Sequence, residues 1–127
     1  MRERVRHPER LGLHLRVVLR DPAGRPAAFG PGKADLLQAI NETGSIAGAG
    51  RQLGMSYKRA WSLVETLNTM FRAPLVDAAK GGAGGGGAAL TPLGQKILSA
   101  YRTLESNSAL AGAVPLATIR QALAPLQ

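Results

Sequence analysis

Residues 46–67 read IAGAGRQLGMSYKRAWSLVETL, and this stretch decides the fold. Its apolar residues recur at helical spacing on both sides of Gly54, which predicts a short helix, a tight turn and a longer helix. Gly50 is a small residue where the second helix would cross the first, and Gly54 tolerates the positive φ that the turn needs. The stretch therefore predicts a helix-turn-helix, although short helical hairpins with glycine turns also occur as plain core.

The longer helix carries the candidate functional side chains. Ser56 is its predicted N-cap, and its inner face is predicted to hold Ala60, Val64, Leu67 and Phe71. A helix in the major groove reads bases mainly from its first turn, where lysine or arginine donates to guanine and serine or tyrosine binds phosphate or base edges. The candidate DNA-binding residues of the two helices are Ser45, Arg51, Ser56, Tyr57, Lys58, Arg59, Trp61 and Ser62.

Some of these assignments have ordinary alternatives. An outward Trp61 would face DNA, whereas a Trp61 folded back over the helical hairpin would be core, because large apolar side chains are usually buried. Lys58 and Arg59 could equally form a solvated charged face. The direction in which this helix points its first turn therefore decides between a DNA-reading surface and plain surface.

A glycine-rich segment follows. Residues 81–87 read GGAGGGG and lie between predicted strands at 75–77 and 88–90. The segment formally fits GxGxxG, but a dinucleotide site needs a helix that begins at its last glycine, and here the next helix signal is Thr91-Pro92. A wing between two strands fits better, with Lys80, Gly82 and Gly84 as candidate phosphate contacts. The alternative is a loop that is disordered in the absence of DNA.

Further elements flank this centre. Leucine and valine alternate with other residues from Leu11 to Leu19, which predicts a half-buried strand, and the segment 21–29 completes a hairpin. A helix is predicted from Pro31, with Gly44 as its C-terminal cap. The predicted fold class is mainly α with a small β content: a winged helix-turn-helix with an N-terminal β-hairpin, a glycine-rich wing and a C-terminal dimerisation helix.

That last helix begins at Thr91-Pro92 and carries an apolar stripe of Leu93, Ile97, Tyr101 and Leu104. We expect the stripe, with or without the N-terminal strand, to form the seam of a homodimer, because two recognition helices can read half-sites about 34 Å apart. Packing against the core of the same subunit is the alternative. The chain divides into a basic arm at 1–10, the winged helix-turn-helix domain at 11–107 and an alanine-rich tail at 108–127, either a short helix or a linker.

Composition narrows the function classes. The 127 residues suffice for one modest domain, and 16 Lys and Arg against 8 Asp and Glu leave a net charge of +8 that attracts polyanions. The absence of cysteine excludes disulfides and thiolate chemistry. No acid or base is organised with His7 or His14, so we expect neither an enzyme nor a cofactor. The sequence also lacks a membrane-spanning run and the apolar core of a secretory signal, so we expect no membrane partner and a cytoplasmic location.

Two stretches carry a family resemblance. The run GSIAGAGRQLGMSYKRAWSLVETLN at 44–68 and the run KGGAGGGGAALTPLGQKIL at 80–98 resemble the N-terminal DNA-binding domain of the ModE family, which comprises molybdate-responsive bacterial transcription regulators and is itself similar to the LysR-type helix-turn-helix. The likeness extends over residues 11–105. It implies a winged helix-turn-helix that dimerises through terminal helices, binds a palindromic operator in double-stranded DNA, and regulates genes for molybdate uptake or molybdenum-cofactor use. It assigns the wing role to residues 80–87 and the recognition role to Ser56, Tyr57, Lys58, Arg59, Trp61 and Ser62.

The chain departs from that family at its end. Full-length members continue into β-domains that hold molybdate, and no such strands follow here before Gln127. We therefore expect no molybdate site in this chain, which is either a single-domain relative or a piece of a longer protein. A winged-helix module that binds a protein instead of DNA is the alternative function, and the salt dependence of binding separates the two.

Overall fold

The structure is a computed structural model that describes residues 12–79 and 86–125. An N-terminal hairpin pairs β1 (Val17–Arg20) antiparallel with β2 (Pro26–Phe29), in a register that places Val17 opposite Phe29. The Asp21 carboxylate closes the turn by accepting hydrogen bonds from the backbone N–H groups of Ala23 and Arg25. The same bond from Arg25 is the main reason why the pKa of Asp21 is lowered.

The predicted strand from Leu11 to Leu19 is too long. Leu11 lies outside the described residues, residues 12–16 are not in a strand, and Leu13 and Leu19 are exposed, so the alternating leucines do not share one buried face. A strand lasts only as long as its partner, and β2 is four residues long because the next helix begins two residues after it.

Three helices follow, and local sequence signals set their ends. Helix α1 (Pro31–Thr43) has proline at its first position and ends at Gly44 with φ 76°. Helix α2 (Ile46–Leu53) is capped by Ser45, whose hydroxyl accepts a hydrogen bond from Gly48 N–H at 2.8 Å. Helix α3 (Tyr57–Met70) is capped by Ser56. These three predictions are confirmed, and the observed ends of each helix lie within one or two residues of the predicted ends.

The wing strands are β3 (Val76–Ala78) and β4 (Ala88–Leu90), which pair antiparallel with Val76 opposite Leu90. Strand β3 starts one residue later than predicted, because Leu75 donates its N–H to the Asn68 side chain and accepts a hydrogen bond from Thr91 N–H. The core between α1, α3 and the wing consists of fully buried side chains. The largest are Leu36, Leu37, Ile40, Val64, Leu67 and Leu75.

Helix α4 (Pro92–Ala111) starts at the predicted Thr91 cap, with proline at its first position, and is longer than expected. The predicted domain boundary after Asn107 therefore falls inside a helix. Helix α5 (Ala113–Gln121) follows, so most of the described part of the tail is helical. The element order and the two small hairpins confirm the predicted winged helix-turn-helix.

Candidate nucleic-acid interface

The crossing of α2 and α3 depends on Gly50. A Cβ at this position would lie 3.2 Å from the carbonyl oxygen of Met55 and 3.6 Å from the Cβ of Ala60. Gly54 then turns the chain with φ 68°. Both glycines have the roles expected from the sequence, and the close approach at Ala60 fixes the direction in which α3 leaves the turn.

The first turn of α3 points outward. Lys58 and Ser62 are exposed, Tyr57 is 56% exposed, and Arg59 is half-buried. The opposite face buries Ala60, Val64 and Leu67 in the core. The predicted orientation of the helix is thus the one observed, and it leaves the cationic and aromatic side chains at its N-terminus accessible to a ligand. Their contact with DNA stays a prediction.

Trp61 lies between the two alternatives that the sequence left open. Its side chain is half-buried and packs against the core, so only part of its ring faces solvent, and its contact with DNA stays a prediction. Its ring also meets that of Tyr57 edge to face, with centroids 6.2 Å apart and an angle of 77° between the planes. Trp61 is therefore partly buried, and its ring supports the exposed ring of Tyr57.

The serine candidates serve the backbone. Ser45 Oγ caps α2, and Ser56 Oγ accepts a hydrogen bond from Arg59 N–H at 3.1 Å. Each serine retains a hydroxyl proton that could be donated to a phosphate oxygen. Arg51, in the last turn of α2, is exposed.

Gly48 has a role that sequence reasoning missed. A Cβ there would lie 2.8 Å from Ser45 Oγ and 2.9 Å from the Cβ of Thr43, so the glycine makes room for the two side chains at the start of α2. Thr43 Oγ1 in turn donates to the carbonyl oxygens of Ala39 and Ser45. The cluster of small residues in α2 thus has two causes, helix crossing at Gly50 and capping at Gly48.

The base of the wing lies beside the turn at Gly44, which precedes α2. Ala88 N–H donates to Gly44 O at 2.8 Å, and Ala79 N–H donates to Gly87 O at 2.8 Å. The candidate wing residues Lys80, Gly82 and Gly84 lie outside the described residues. Their phosphate contacts stay a prediction, but the wing starts next to the N-terminus of α2.

The four residues of the predicted dimer seam do not share one environment. Tyr101 is 4% exposed, its ring packs edge to face on Phe29, and its hydroxyl donates to Leu15 O at 2.6 Å. Leu93 and Ile97 are half-buried against the same core, and Leu104 is exposed. For Tyr101 the seam assignment is corrected, because its ring and its hydroxyl are engaged within the subunit.

Residues 33–95, which include the helix-turn-helix and the wing strands, match the family of bacterial regulatory helix-turn-helix proteins called lysR. This match spans 63 of the 127 residues. The chain is 48% identical over 83 residues to the molybdenum-pterin-binding protein MopB of Rhodobacter capsulatus, an alignment that covers 65% of this chain and 31% of MopB.

Relatives named as regulators are also similar to this chain. The chain is 42% identical over 74 residues to the transcriptional regulator ModE of Yersinia pestis, and 40% identical over 74 residues to the DNA-binding transcriptional dual regulator ModE of Escherichia coli K12. Each of these alignments covers 58% of this chain and 28% of the relative. The chain thus spans less than a third of the curated relatives it matches, and the resemblance stated from the sequence is confirmed.

A shallow groove lies at the foot of the wing. It is lined by Asn68, Ala73, Pro74, Val76, Asp77, Thr91, Pro92 and Leu93. Two of its polar side chains bind backbone: Asn68 bonds to Leu75 and Val76, and Thr91 Oγ1 donates to Pro74 O. These hydrogen bonds connect α3, β3 and the start of α4, so the two polar side chains have a structural role.

Within residues 12–79 and 86–125, no three His, Asp or Glu side chains gather as metal ligands. In the same ranges, no helix has the length and apolar character needed to cross a membrane.

Proposed function

We propose that the chain is a DNA-binding transcriptional regulator that inserts the N-terminal half of α3 in the major groove and lays the wing on the adjoining sugar-phosphate backbone. The observation that carries the proposal is the outward first turn of α3, where Tyr57 and Lys58 are exposed next to a helix N-terminus. A lysine there can donate to guanine O6 and N7, and the partial positive charge of the helix end favours a nearby phosphate.

The charge of the chain supports a polyanionic partner. The net charge is +8, and Arg51 and Lys58 are exposed on the two helices of the helix-turn-helix. Neutralisation of phosphates by such cations releases counterions, so the affinity falls steeply with salt. A protein-binding winged helix would depend much less on salt, which makes the salt dependence a direct test.

We further propose a homodimer on a palindromic operator. Helices α4 and α5 expose large apolar side chains that a monomer would leave in water, and Leu110 is 80% and Val114 78% exposed. The others on these helices are Leu104 and Ile119. A second copy would cover them, and two copies of α3 could then read half-sites about 34 Å apart. Leu104 is the one member of the predicted stripe that stays on this exposed surface.

The names of the relatives suggest which genes are regulated. Relatives from Azotobacter vinelandii and Herbaspirillum seropedicae are named molybdenum transport protein ModE. On this basis the proposed targets are genes of molybdate uptake or molybdenum-cofactor use. The proposal assigns molybdate no site within these 127 residues, so the DNA affinity of this chain is independent of added molybdate.

In vitro selection tests the proposal. Duplexes with a randomised core are selected with the 127-residue chain, and the affinity for the enriched duplex is measured between 50 and 200 mM salt, a range in which about six phosphate contacts would lower it about 10³-fold. Lys58→Ala is expected to weaken binding about tenfold without change in thermal stability, whereas Lys96→Ala on the exposed face of α4 serves as the matched control. Failure to enrich any sequence, or an affinity that does not respond to salt, would refute DNA reading and favour a protein partner.

A further inference from the structure

A polar network joins the C-terminal helices to the helix-turn-helix. Arg102 of α4 donates from Nη2 to Asp35 Oδ1 at 2.9 Å, and from Nε and Nη2 to Gln38 Oε1 at 3.1 and 2.7 Å. Asp35 and Gln38 lie on α1, and Asp35 is only 5% exposed. A fourth bond, from Nη1 to Glu105 Oε1 at 2.9 Å, further fixes the orientation of the guanidinium. The arginine thus bridges α4 and α1 with a geometry that a lysine cannot reproduce.

The network continues from α1 to α2. Gln38 Nε2 donates to Glu42 Oε2 at 3.2 Å, and Glu42 Oε1 accepts from Gln52 Nε2 at 2.7 Å. Gln52 lies in the last turn of α2, just before Gly54 and the start of α3. These hydrogen bonds lower the pKa of the Glu42 carboxyl, the bond from Gln52 contributing most. The chain of contacts from Arg102 therefore reaches α2, the first helix of the helix-turn-helix.

Arg102 lies where a small rotation has a large effect. Helix α4 continues for nine residues beyond it to Ala111, a length of about 13 Å, and Leu104 and Leu110 on this extension are exposed. A rotation of about 15° at Arg102 would displace the end of the extension by roughly 3.4 Å, the rise of one base pair. A change in the angle of α4 would thus change the separation of two copies of α3 by a distance on the scale of one base pair.

We propose that Arg102 is a positioning residue for DNA binding. Through Asp35, Gln38, Glu42 and Gln52 it fixes the angle between α4 and the helix-turn-helix, and so selects the spacing of half-sites that the dimer accepts. This inference depends on the proposed function, because it presupposes two recognition helices joined through α4 and α5. A purely structural Arg102 would affect the stability of the domain but not the choice of spacing.

The test is a spacing scan on selected DNA. Duplexes are made from the half-site that the full chain enriches, with the number of base pairs between the half-sites changed by one in each direction. The wild-type chain is expected to lose about tenfold in affinity for each change, because one base pair also rotates a half-site by about 35°. The spacing profile of each variant is then compared with its affinity for a duplex that carries a single half-site.

Gln38→Ala is the decisive variant, since it cuts the network between Arg102 and Glu42 but leaves the ion pair with Asp35 in place. We expect it to reduce the tenfold preference to less than threefold, while the affinity for the single half-site stays within twofold of wild type. Arg102→Gln combined with Asp35→Asn removes the ion pair without burying a lone charge, and it is expected to flatten the profile in the same way. Lys96→Ala, on the same helix but outside the network, is expected to keep the wild-type profile.

The outcomes separate this inference from the proposed function. Folded Gln38→Ala and Arg102→Gln/Asp35→Asn proteins that keep the wild-type spacing preference would overturn the positioning role, although DNA reading would stand. A wild-type chain that selects no DNA would overturn the proposed function itself and this role with it. A chain that binds DNA only as a monomer would overturn the proposed dimer and this role, although DNA reading would stand. Thermal melting of each variant, followed by circular dichroism, establishes that the compared proteins are folded.

Discussion

The carbonyl oxygen of Gly44 accepts a hydrogen bond from the backbone N–H of Ala88 at 2.8 Å. This single bond fastens the start of β4, at the base of the wing, to the turn that begins α2. A carbonyl at the C-terminal end of α1 that would otherwise face water is thereby satisfied. The turn at Gly44 also positions the Ser45 cap at the start of α2. The wing and the helix-turn-helix are therefore held together by a backbone hydrogen bond, whatever side chains the wing carries.

Gly94→Ala tests how tightly α4 is seated. A Cβ at Gly94 would lie 3.0 Å from the carbonyl carbon of Leu75 and closer still to its oxygen, and neither belongs to a flexible side chain. We expect the variant to lose about 3 kcal/mol of stability or to fail to fold, because overpacking against backbone has no easy relaxation. Chemical denaturation measures the loss. Ser99→Ala, on the exposed face of the same helix, is expected to stay within about 0.5 kcal/mol of wild type, and equal stability of the two variants would contradict the packing at Leu75.

Asn68→Ala tests the link between α3 and the wing. The Asn68 side chain accepts from Leu75 N–H at 2.9 Å and Val76 N–H at 3.0 Å, and donates to Val76 O at 3.0 Å. Its removal leaves these backbone groups without their partner, and we expect a loss of about 2 kcal/mol in the free energy of unfolding. The neighbouring exposed Thr69→Ala is the control. If Asn68→Ala melted at the wild-type temperature, this side chain would not anchor β3.

Tyr57 and Trp61 are expected to separate affinity from stability. Tyr57→Ala removes an exposed ring from the first turn of α3, so it should weaken binding of the selected duplex several-fold at unchanged melting temperature. Trp61→Ala removes a half-buried ring that packs on the core, so it should lower stability by about 2 kcal/mol as well as weaken binding. Gel shifts and thermal melts of the same preparations give both values. The reverse pattern, a stability loss confined to Tyr57→Ala, would show that the exposures of the two rings had been misassigned.

Shortening of the glycine-rich segment is expected to act on all DNA alike. Phosphate contacts position a protein but carry no sequence information directly, so deletion of Gly82–Gly85 should lower the affinity for selected and random duplexes by the same factor. Lys80→Ala should lower the slope of log affinity against log salt concentration by about one, the contribution of one phosphate contact. Competition assays with both duplexes check this. A deletion that weakened only the selected duplex would instead give the wing a role in base reading.

Much of this fold was predictable because its helix ends are set by local chemistry. Proline at Pro31 and Pro92, hydroxyl caps at Ser45, Ser56 and Thr91, and glycine at Gly44 and Gly54 each act within a few residues of the helix end that they define. The inward face of α3 was equally readable, since apolar residues at helical spacing must share one side. The outward direction of Lys58 follows from that face.

Four features depended instead on contacts with other elements of the fold. The length of β1 is limited by β2, and Tyr101 is drawn inward by Phe29 and Leu15, more than 70 residues away. Trp61 is half-buried because the core beneath it is near enough to cover one side of its ring. Arg102 finds Asp35 and Gln38 only once α4 has crossed α1. The sequence by itself thus determined where the helices begin and end and which side of α3 is apolar, because those features depend on neighbours along the chain. Only the tertiary structure decided which residues of α4 face the core and which bind α1, because those contacts require the two helices to be in place.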